Sequence, residues 1–205
     1  PSSRAELARA LGVSPALMTQ LTKDLLAENL VVEQDLEPSQ GGRPARPLAL
    51  ATSGASAIGV KVAADHVAFV EVALDGSVLR TASERFDAAA NTVLTDLVDL
   101  LLAFVAGARD RRILGVGVGV PGTVDRQGEG VVVSPQLGWS QLPLGATLHR
   151  ALDLPVLIEN NVNALAMAER LYGTGRRHHN FLVITIGTGV GAGIVVDGVV
   201  LRGAA

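Results

Sequence analysis

Cysteine is missing from the sequence, and aromatic residues and net charge are scarce. With no cysteine among its 205 residues, the chain can form neither disulfides nor thiolate metal sites. Aromatic residues make up 3% of the composition, so we expect a core of Val, Leu, Ile and Ala. The formal charge of −3 provides no overall attraction to nucleic acid or anionic lipid. These features suit a cytoplasmic protein, which is the location we predict.

Long uninterrupted apolar runs are also missing. The most apolar stretch, residues 182–200, contains Asp197 and five glycines, and its β-branched residues favour strands over a membrane helix. No segment has the pattern of a signal peptide, and we predict no membrane association. Because the chain begins at Pro1 rather than Met and ends at Ala205 without a recognisable stop, we expect it to be truncated at both ends.

Residues 1–50, called the head below, contain two helical patterns and two short strands. Leu7 and Leu11 share a face of the first pattern, and Gly12 interrupts it. Ser14 is a plausible N-cap of the second helix, with Pro15 at the first helical position. Strands are expected at 30–32 and 48–50, around a tip rich in Gly, Pro and Arg. This order is typical of a winged helix-turn-helix, whose second helix enters the major groove of DNA.

The spacing of the apolar residues predicts which side chains of the head face DNA. Met18, Leu21 and Leu25 recur at helical spacing, so we expect them to face inward. The tip offers arginines that can enter a narrow minor groove. The predicted DNA-binding residues are Leu17, Thr19, Gln20, Lys23, Arg43 and Arg46. Five Lys/Arg against six Asp/Glu give the head a net charge of −1, which attracts phosphate poorly, so a winged helix used for protein contacts stays open.

Residues 51–205, called the body below, alternate between strand and helix patterns, which predicts an α/β fold. Strands are expected at 58–62, 67–74, 78–81, 113–120, 156–158, 181–186 and 191–196, and helices at 91–108, 144–152 and 161–172. One pattern occurs twice: strand, turn, strand, an Asp-Gly turn (Asp75-Gly76 and Asp197-Gly198) and a strand that closes on Leu-Arg. The pair suggests two lobes of like build around a shared cleft, although chance similarity of two hairpins is the alternative.

A glycine-rich turn separates the last two predicted strands. A dinucleotide-binding fold would need a helix directly after the glycines, whereas Ile194-Val195-Val196 continues as a strand. Backbone N–H groups of such a turn can hold phosphate oxygens, and a hairpin without any ligand is the alternative. The residues that resemble a phosphate loop are Gly187, Thr188, Gly189 and Gly191.

Four segments, in order and spacing, resemble the ROK family (repressors, open reading frames, kinases). They are GVGVGVPG (115–122), SPQLGW (134–139), LPVLIENN (154–161) and the glycine-rich turn. The head, with its GGRPARP tip, resembles the repressor branch of the xylose-repressor and N-acetylglucosamine-repressor type, apart from a missing first helix. The resemblance implies an actin/hexokinase-like (ribonuclease H-like) ATPase-type fold after the head, truncated at the C-terminus. It implies no cofactor in this fragment, with zinc possible at a Cys cluster in the missing C-terminal part.

The chain departs from the kinases of that family at three points. Where their first phosphate loop has the Asp that helps hold Mg²⁺, this chain has Lys61, which cannot ligate a cation. Where they carry the Asp that accepts the proton of the sugar hydroxyl, this chain has Asn161, an amide without usable basicity. The third is Gln136, where many members carry Asn. We therefore predict no enzyme activity and no catalytic or metal residue.

The resemblance also implies a sugar site at Gln136, Glu159, Asn160 and Asn161. The alternative for Asn160 and Asn161 is a capping pair at a helix N-terminus. Trp139 is a candidate stacking platform for the sugar, although a core position is the stronger interpretation.

The function that these observations predict is a sequence-specific transcriptional regulator of carbohydrate genes. Its partners would be a palindromic DNA operator, a sugar or sugar-phosphate effector and further copies of itself in a homodimer or a dimer of dimers. One alternative is an ATP-dependent sugar kinase of the glucokinase or N-acetylglucosamine kinase type. Another is a scaffold without a small ligand.

Overall fold

The computed structural model describes residues 1–35, 46–108, 111–125, 129–187 and 189–202. The head contains two helices and a two-stranded antiparallel sheet: α1 (Arg4–Leu11), α2 (Pro15–Ala27), β1 (Val31–Glu33) and β2 (Leu48–Leu50). Ser3 and Glu6 form a capping box that begins α1, and Gly12, at φ +66°, ends it. Ser14 caps α2 as the sequence predicts, with Pro15 at the first position. The tip residues 36–45, including Arg43, lie outside the described residues.

The buried face of α2 differs from the predicted one. Met18 is buried, but Leu21 and Leu25 are each 41% exposed, so the prediction that both face inward is wrong. Thr22 takes the inward position instead, at 1% exposure. Its hydroxyl donates to the Met18 carbonyl at 2.7 Å, which removes the penalty of burying an unpaired polar group. Leu11 of α1 is also exposed, at 65%.

The body contains eleven further strands and three further helices among the described residues. They are β3 (Ala55–Val62), β4 (His66–Ala73), β5 (Val78–Arg85), α3 (Val93–Ala106), β6 (Arg112–Val120), β7 (Thr123–Val124), β8 (Val131–Ser134), β9 (Trp139–Pro143), α4 (Leu144–Leu152), β10 (Val156–Asn160), α5 (Asn161–Tyr172), β11 (Phe181–Ile186), β12 (Val190–Val196) and β13 (Val199–Leu201), with a 3₁₀ turn at Thr174–Arg177. None of the helices in the described ranges combines the length and the apolar character that a membrane crossing needs.

A five-stranded central sheet in the order β10-β6-β3-β4-β5 organises the body. β10, β6 and β3 run parallel, whereas β4 and β5 run antiparallel to their neighbours. Alternate residues of β3 and β6 pack against α3 and α4 in one core of aliphatic side chains, as the composition predicts. The α/β prediction is therefore confirmed. The predicted strands and helices of the body all appear: α4, α5 and β11 have the predicted bounds, and the others have shifted ends.

The predicted repeat is present as two antiparallel three-stranded units. β3, β4 and β5 form one at the side of the central sheet, and β11, β12 and β13 form a separate sheet. Each unit turns at its Asp-Gly pair, where Gly76 has φ +85° and Gly198 has φ +75°. The second sheet packs on α5, where Ala166 and Val195 are buried together. A third small sheet, β7-β8-β9, has no counterpart in the sequence prediction.

The head contacts the body at the edge of the central sheet where β3 and β6 begin, called the head edge below. The Ala51 N–H donates to the Leu30 carbonyl at 3.0 Å. A Cβ atom at Gly54 would lie 2.7 Å from the Asn29 carbonyl oxygen, so the close approach of the two segments requires glycine there. Glu28 and Arg112 form a more exposed ion pair at 3.5 Å.

Candidate functional site

Three parallel strands end side by side at the edge opposite the head, called the site edge below. Lys61 of β3 and Glu159 of β10 both lie beside Gly119 of β6. Ligands of open α/β sheets bind outside the carboxyl ends of parallel strands, because the loops and helix N-termini that follow them converge there. The predicted residues Lys61, Glu159, Asn160 and Asn161 thus meet at one edge of the sheet.

Asn160 holds the N-terminus of α5 and the loop after β6 together. Its Oδ1 accepts hydrogen bonds from the Val162 and Asn163 N–H groups, at 2.9 and 3.2 Å. Its Nδ2 donates to the Gly122 carbonyl at 2.8 Å. The capping interpretation is therefore correct for Asn160, because its side-chain oxygen and nitrogen both form hydrogen bonds within the protein. A sugar hydroxyl could reach only the second N–H of its Nδ2, because both lone pairs of Oδ1 already accept hydrogen bonds.

Glu159 is held by a residue from the other sheet. Its Oε2 accepts from Arg202 Nε at 2.5 Å, and its Oε1 accepts from the Asn160 N–H at 2.9 Å and from Asn163 Nδ2 at 3.3 Å. The carboxylate is mostly buried, with 16% of its side chain exposed. Arg202 was not predicted as a site residue, although the repeated Leu-Arg ending contained the signal: Arg80, at the equivalent place in the first unit, also pairs with a glutamate, Glu71.

Asn161 begins α5 and differs from its neighbour because its side chain forms no hydrogen bond with the described part of the chain. It is half-buried, and its Cα would lie 3.5 Å from a Cβ atom at Gly119. The amide is therefore free to donate and accept hydrogen bonds towards a ligand, but it cannot remove a proton from a hydroxyl.

The glycine-rich turn connects β11 to β12 beside α5. The Gly187 N–H donates to the Gly189 carbonyl at 3.0 Å, which closes the turn. A Cβ atom at Gly191 would lie 2.7 Å from Val162 Cγ2, so packing on α5 explains that glycine. A Cβ atom at Gly187 would meet nothing within 4 Å in the described part of the chain, so packing of those residues does not explain it. Thr188 lies outside the described residues.

Gln136 approaches this turn from the loop between β8 and β9. A Cβ atom at Gly189 would lie 3.1 Å from Gln136 Nε2, and Gln136 is otherwise exposed. The structure therefore brings Gln136 to the glycine-rich turn. Trp139, three residues later, is 5% exposed, and its Nε1 donates to the Ala88 carbonyl at 2.8 Å. It is a core residue, and the stacking platform is ruled out.

The loop between β3 and β4 is tied to the segment before α3. The Ala64 and Asp65 carbonyls accept hydrogen bonds from the Ala88 and Phe86 N–H groups, each at 3.0 Å. Asp65 pairs with His66 Nδ1 at 2.8 Å, and this hydrogen bond holds the pKa of Asp65 below its ordinary value. An anionic Asp65 opposes a phosphate at this loop, whereas exposed Lys61 has no ion pair among the described residues.

A cavity of about 1340 Å³ opens beside β10 and α4. Glu159 and Asn160 line it, but Asn161 and Gln136 do not, so the predicted sugar residues divide between two sides of the N-terminus of α5. Its other polar lining residues include Asp125, Glu129, His149, Asn163 and Arg202. The described ranges contain no cluster of three or more His, Asp or Glu side chains that could hold a metal ion. Zinc binding outside residues 1–205 stays a prediction.

The predicted DNA-binding residues of α2 are all exposed. Leu17 is 47% exposed, and Lys23 projects without an ion pair in the described part of the chain. The Thr19 hydroxyl donates to the Pro15 carbonyl at 2.8 Å, and Gln20 Nε2 donates to Asp24 Oδ1 at 2.9 Å. Reading a base would require Gln20 to exchange that intrahelical bond.

Arg46, between the tip and β2, is held by β1. Its Nη1 donates to Glu33 Oε2 at 3.3 Å, and Arg4 also pairs with that carboxylate. The two arginines hold the pKa of Glu33 below its ordinary value. The pair is exposed, so Arg46 can leave it for a phosphate at small cost.

Comparison with known proteins connects these features to one family. Residues 57–205 match the ROK family. A xylose repressor of Caldicellulosiruptor bescii is 31% identical over 99% of this chain and 52% of its own length. A Streptomyces coelicolor glucokinase is 35% identical over 71% of this chain and 45% of its own.

A solved structure matches the fold over nearly the whole chain. A ROK family transcriptional regulator, described as a homolog of the E. coli MLC protein, has a TM-score of 0.82 and 29% identity. The match covers 98% of this chain and 52% of that one. The chain thus spans about half the length of the curated relatives it matches.

Proposed function

Because the chain belongs to the ROK family, with an α/β fold like that of its hexokinase/actin-like kinases, we propose that it acts as a sugar-responsive transcriptional regulator. The observation that carries the proposal is the extent of the matches. Xylose repressors align over 98–99% of the chain, head included, whereas the glucokinases align over 43–71%. The glucokinase matches, at 147 residues or fewer, are no longer than the body, whereas the repressor matches also include the head, which a regulator needs and a kinase does not.

The head supplies the DNA-reading part of the proposal. α1 and α2 are joined by a turn of Gly12, Val13 and Ser14, and the β1-β2 sheet follows, which supports a winged helix-turn-helix. Exposed Gln20 and Lys23 would reach bases and phosphates from α2. Arg43 and Arg46 would contact the adjacent minor groove or backbone. The domain boundary near residue 50 stays a prediction.

The site edge supplies the sensing part. The unbonded amide of Asn161 and the exposed amide of Gln136 offer hydrogen bonds to sugar hydroxyls, with the glycine-rich turn beside them. Packing of the described residues does not explain Gly187, so a ligand that approaches the backbone is a sufficient reason for that glycine. Lys61 and Asn161 deprive the cleft of a magnesium anchor and a proton acceptor, so a bound sugar would not be phosphorylated. The effector must bind the DNA-binding and released states unequally, because equal affinity would shift nothing.

The test is a filter-binding titration of the intact protein against genomic fragments. We expect salt-sensitive, sequence-selective retention that one sugar or sugar phosphate changes. Gln20→Ala should relax the preference among fragments. Lys23→Ala should weaken the binding of all fragments alike and reduce the magnitude of the slope of log affinity against log salt by about 1. Absence of any selective binding would defeat the proposal.

The similarity to glucokinases supports one alternative function, that of an ATP-dependent sugar kinase. That alternative predicts ADP release with glucose, N-acetylglucosamine, fructose or xylose. No turnover across the panel would remove it. A scaffold without a small ligand predicts no thermal shift with any of these sugars.

A further inference from the structure

The 3₁₀ turn after α5 carries the strongest local excess of positive charge among the described residues of the body. Between Asn160 and Val196 the chain has three arginines and one acidic residue, in a protein whose formal charge is −3. The cluster, called the basic cluster below, consists of Arg170, Arg176, Arg177, His178 and His179. All five side chains are exposed.

The three arginines have no partner that would explain them as structural. None forms an ion pair or a side-chain hydrogen bond among the described residues. Two carboxylates lie nearby. Glu169 is engaged elsewhere, because its Oε2 accepts from the Thr174 N–H and hydroxyl, both at 3.0 Å. Asp197 lies in the turn beside Arg170 and forms no ion pair with it among the described residues. The fold thus turns Glu169 towards the backbone of the turn and leaves the three arginines exposed to solvent.

The topology places this cluster at the head edge. α5 begins directly after β10 at the site edge and runs 12 residues, about 18 Å, back along the body. Its last residue, Tyr172, packs on the Asp75-Gly76 turn, where a Cβ atom at Gly76 would lie 2.9 Å from the ring. That turn follows Ala73, which pairs with Ser56 at the beginning of β3. The basic cluster therefore lies at the end of the body to which the head is attached.

We propose that the basic cluster is a second contact surface for duplex DNA, which binds the phosphates that flank the sequence read by the head. The inference rests on the proposed regulator function and deepens it. A head of net charge −1 needs phosphate contacts from elsewhere, because counterion release supplies most of the sequence-independent affinity. Arginine suits this role, since its planar guanidinium makes two-point contacts with phosphate oxygens, and histidine adds hydrogen-bond donors.

The experiment measures how the affinity of the intact protein for a fluorescently labelled, mixed-sequence duplex depends on KCl between about 50 and 200 mM. The variants are Arg176→Ala, Arg177→Ala and both together. The matched control is Arg85→Ala, an exposed arginine at the end of β5 that pairs with His66 at the site edge. Because these arginines are exposed and form no ion pair with any described residue, we expect all four variants to melt like the unaltered protein.

Each lost phosphate contact should make the negative slope of log affinity against log salt shallower by about 0.9. In the double variant the slope should therefore be shallower by about 1.8. At about 0.1 M salt this corresponds to roughly 60-fold weaker binding, with Arg85→Ala unchanged. Equal slopes in all variants of a protein that does bind DNA would overturn this inference alone and favour an acidic protein partner. An unaltered protein that ignores duplex DNA at every salt concentration would overturn the proposed function as well.

Discussion

Replacing Glu71 by Gln should destabilise the body more than any single change of a surface charge. Glu71 lies on β4 with 0% of its surface exposed. It accepts hydrogen bonds from Ser56 Oγ at 2.7 Å, Arg80 Nε at 2.6 Å and Arg111 Nε at 2.8 Å. These partners come from β3, β5 and the residue before β6, so one carboxylate ties three strands together near the head edge.

The magnitude follows from the pKa of Glu71. Burial alone would raise this pKa, but the hydrogen bonds from Arg111, Arg80 and Ser56 outweigh burial and lower it from 4.5 to about 2. At 1.36 kcal/mol per pKa unit, this difference contributes about 3 kcal/mol to the free energy of unfolding. Because the folded-state pKa is the lower one, the contribution is complete above pH 4.5 and is lost as the pH falls towards 2.

The assay is denaturant and thermal unfolding of the unaltered protein and Glu71→Gln at pH 7 and at pH 3. At pH 7 we expect a loss of about 3 kcal/mol, or about 6–12 °C in Tm for a chain of this size. The difference in unfolding free energy between the two proteins should be smaller at pH 3, because the unaltered protein has already lost part of this stabilisation. The matched control is Glu84→Gln, an exposed glutamate on β5. A Glu71→Gln protein as stable as this control at pH 7, or a gap that does not change with pH, would refute the reasoning.

Three further changes probe the site edge and the core. Asn160→Ala removes the cap of α5 and the bond to the Gly122 carbonyl, so we expect a loss of about 1–2 kcal/mol in thermal unfolding; an unchanged Tm would contradict the capping role. Trp139→Phe leaves the Ala88 carbonyl without its donor and should cost about 1–3 kcal/mol, with the response to sugars unchanged; a lost sugar response at full stability would contradict the core role of Trp139. Asn161→Asp should release no ADP with any sugar, because the magnesium anchor is still missing; measurable turnover would show that a single residue disables the kinase.

Local signals in the sequence predicted the elements of the fold well. The Ser14-Pro15 start of α2, the Gly12 stop of α1 and the two Asp-Gly turns all specify backbone geometry through neighbouring residues alone. Aliphatic residues alternate along β3 and β6 because one face of each strand is buried, and this pattern is also local. Such features can be predicted because their causes lie within a few residues.

The features that the sequence did not predict depend on tertiary partners. Thr22 displaced Leu21 from the inward face of α2 because its hydroxyl can be satisfied within the helix, which hydrophobic periodicity ignores. The strands β7 to β9 are two to five residues long, which is too short for an alternation of apolar and polar residues to be recognised. Arg202 reaches Glu159 across 43 residues, so the repeated Leu-Arg ending, rather than any local pattern, carried its signal.

The most direct test of the central claim uses one preparation of the intact protein, in which selective binding of genomic fragments is measured against a panel of sugars and sugar phosphates. We predict that one compound changes the affinity for the selected fragment, with no ADP formed when ATP is present. A protein that phosphorylates a sugar rapidly and retains no fragment selectively would contradict the account.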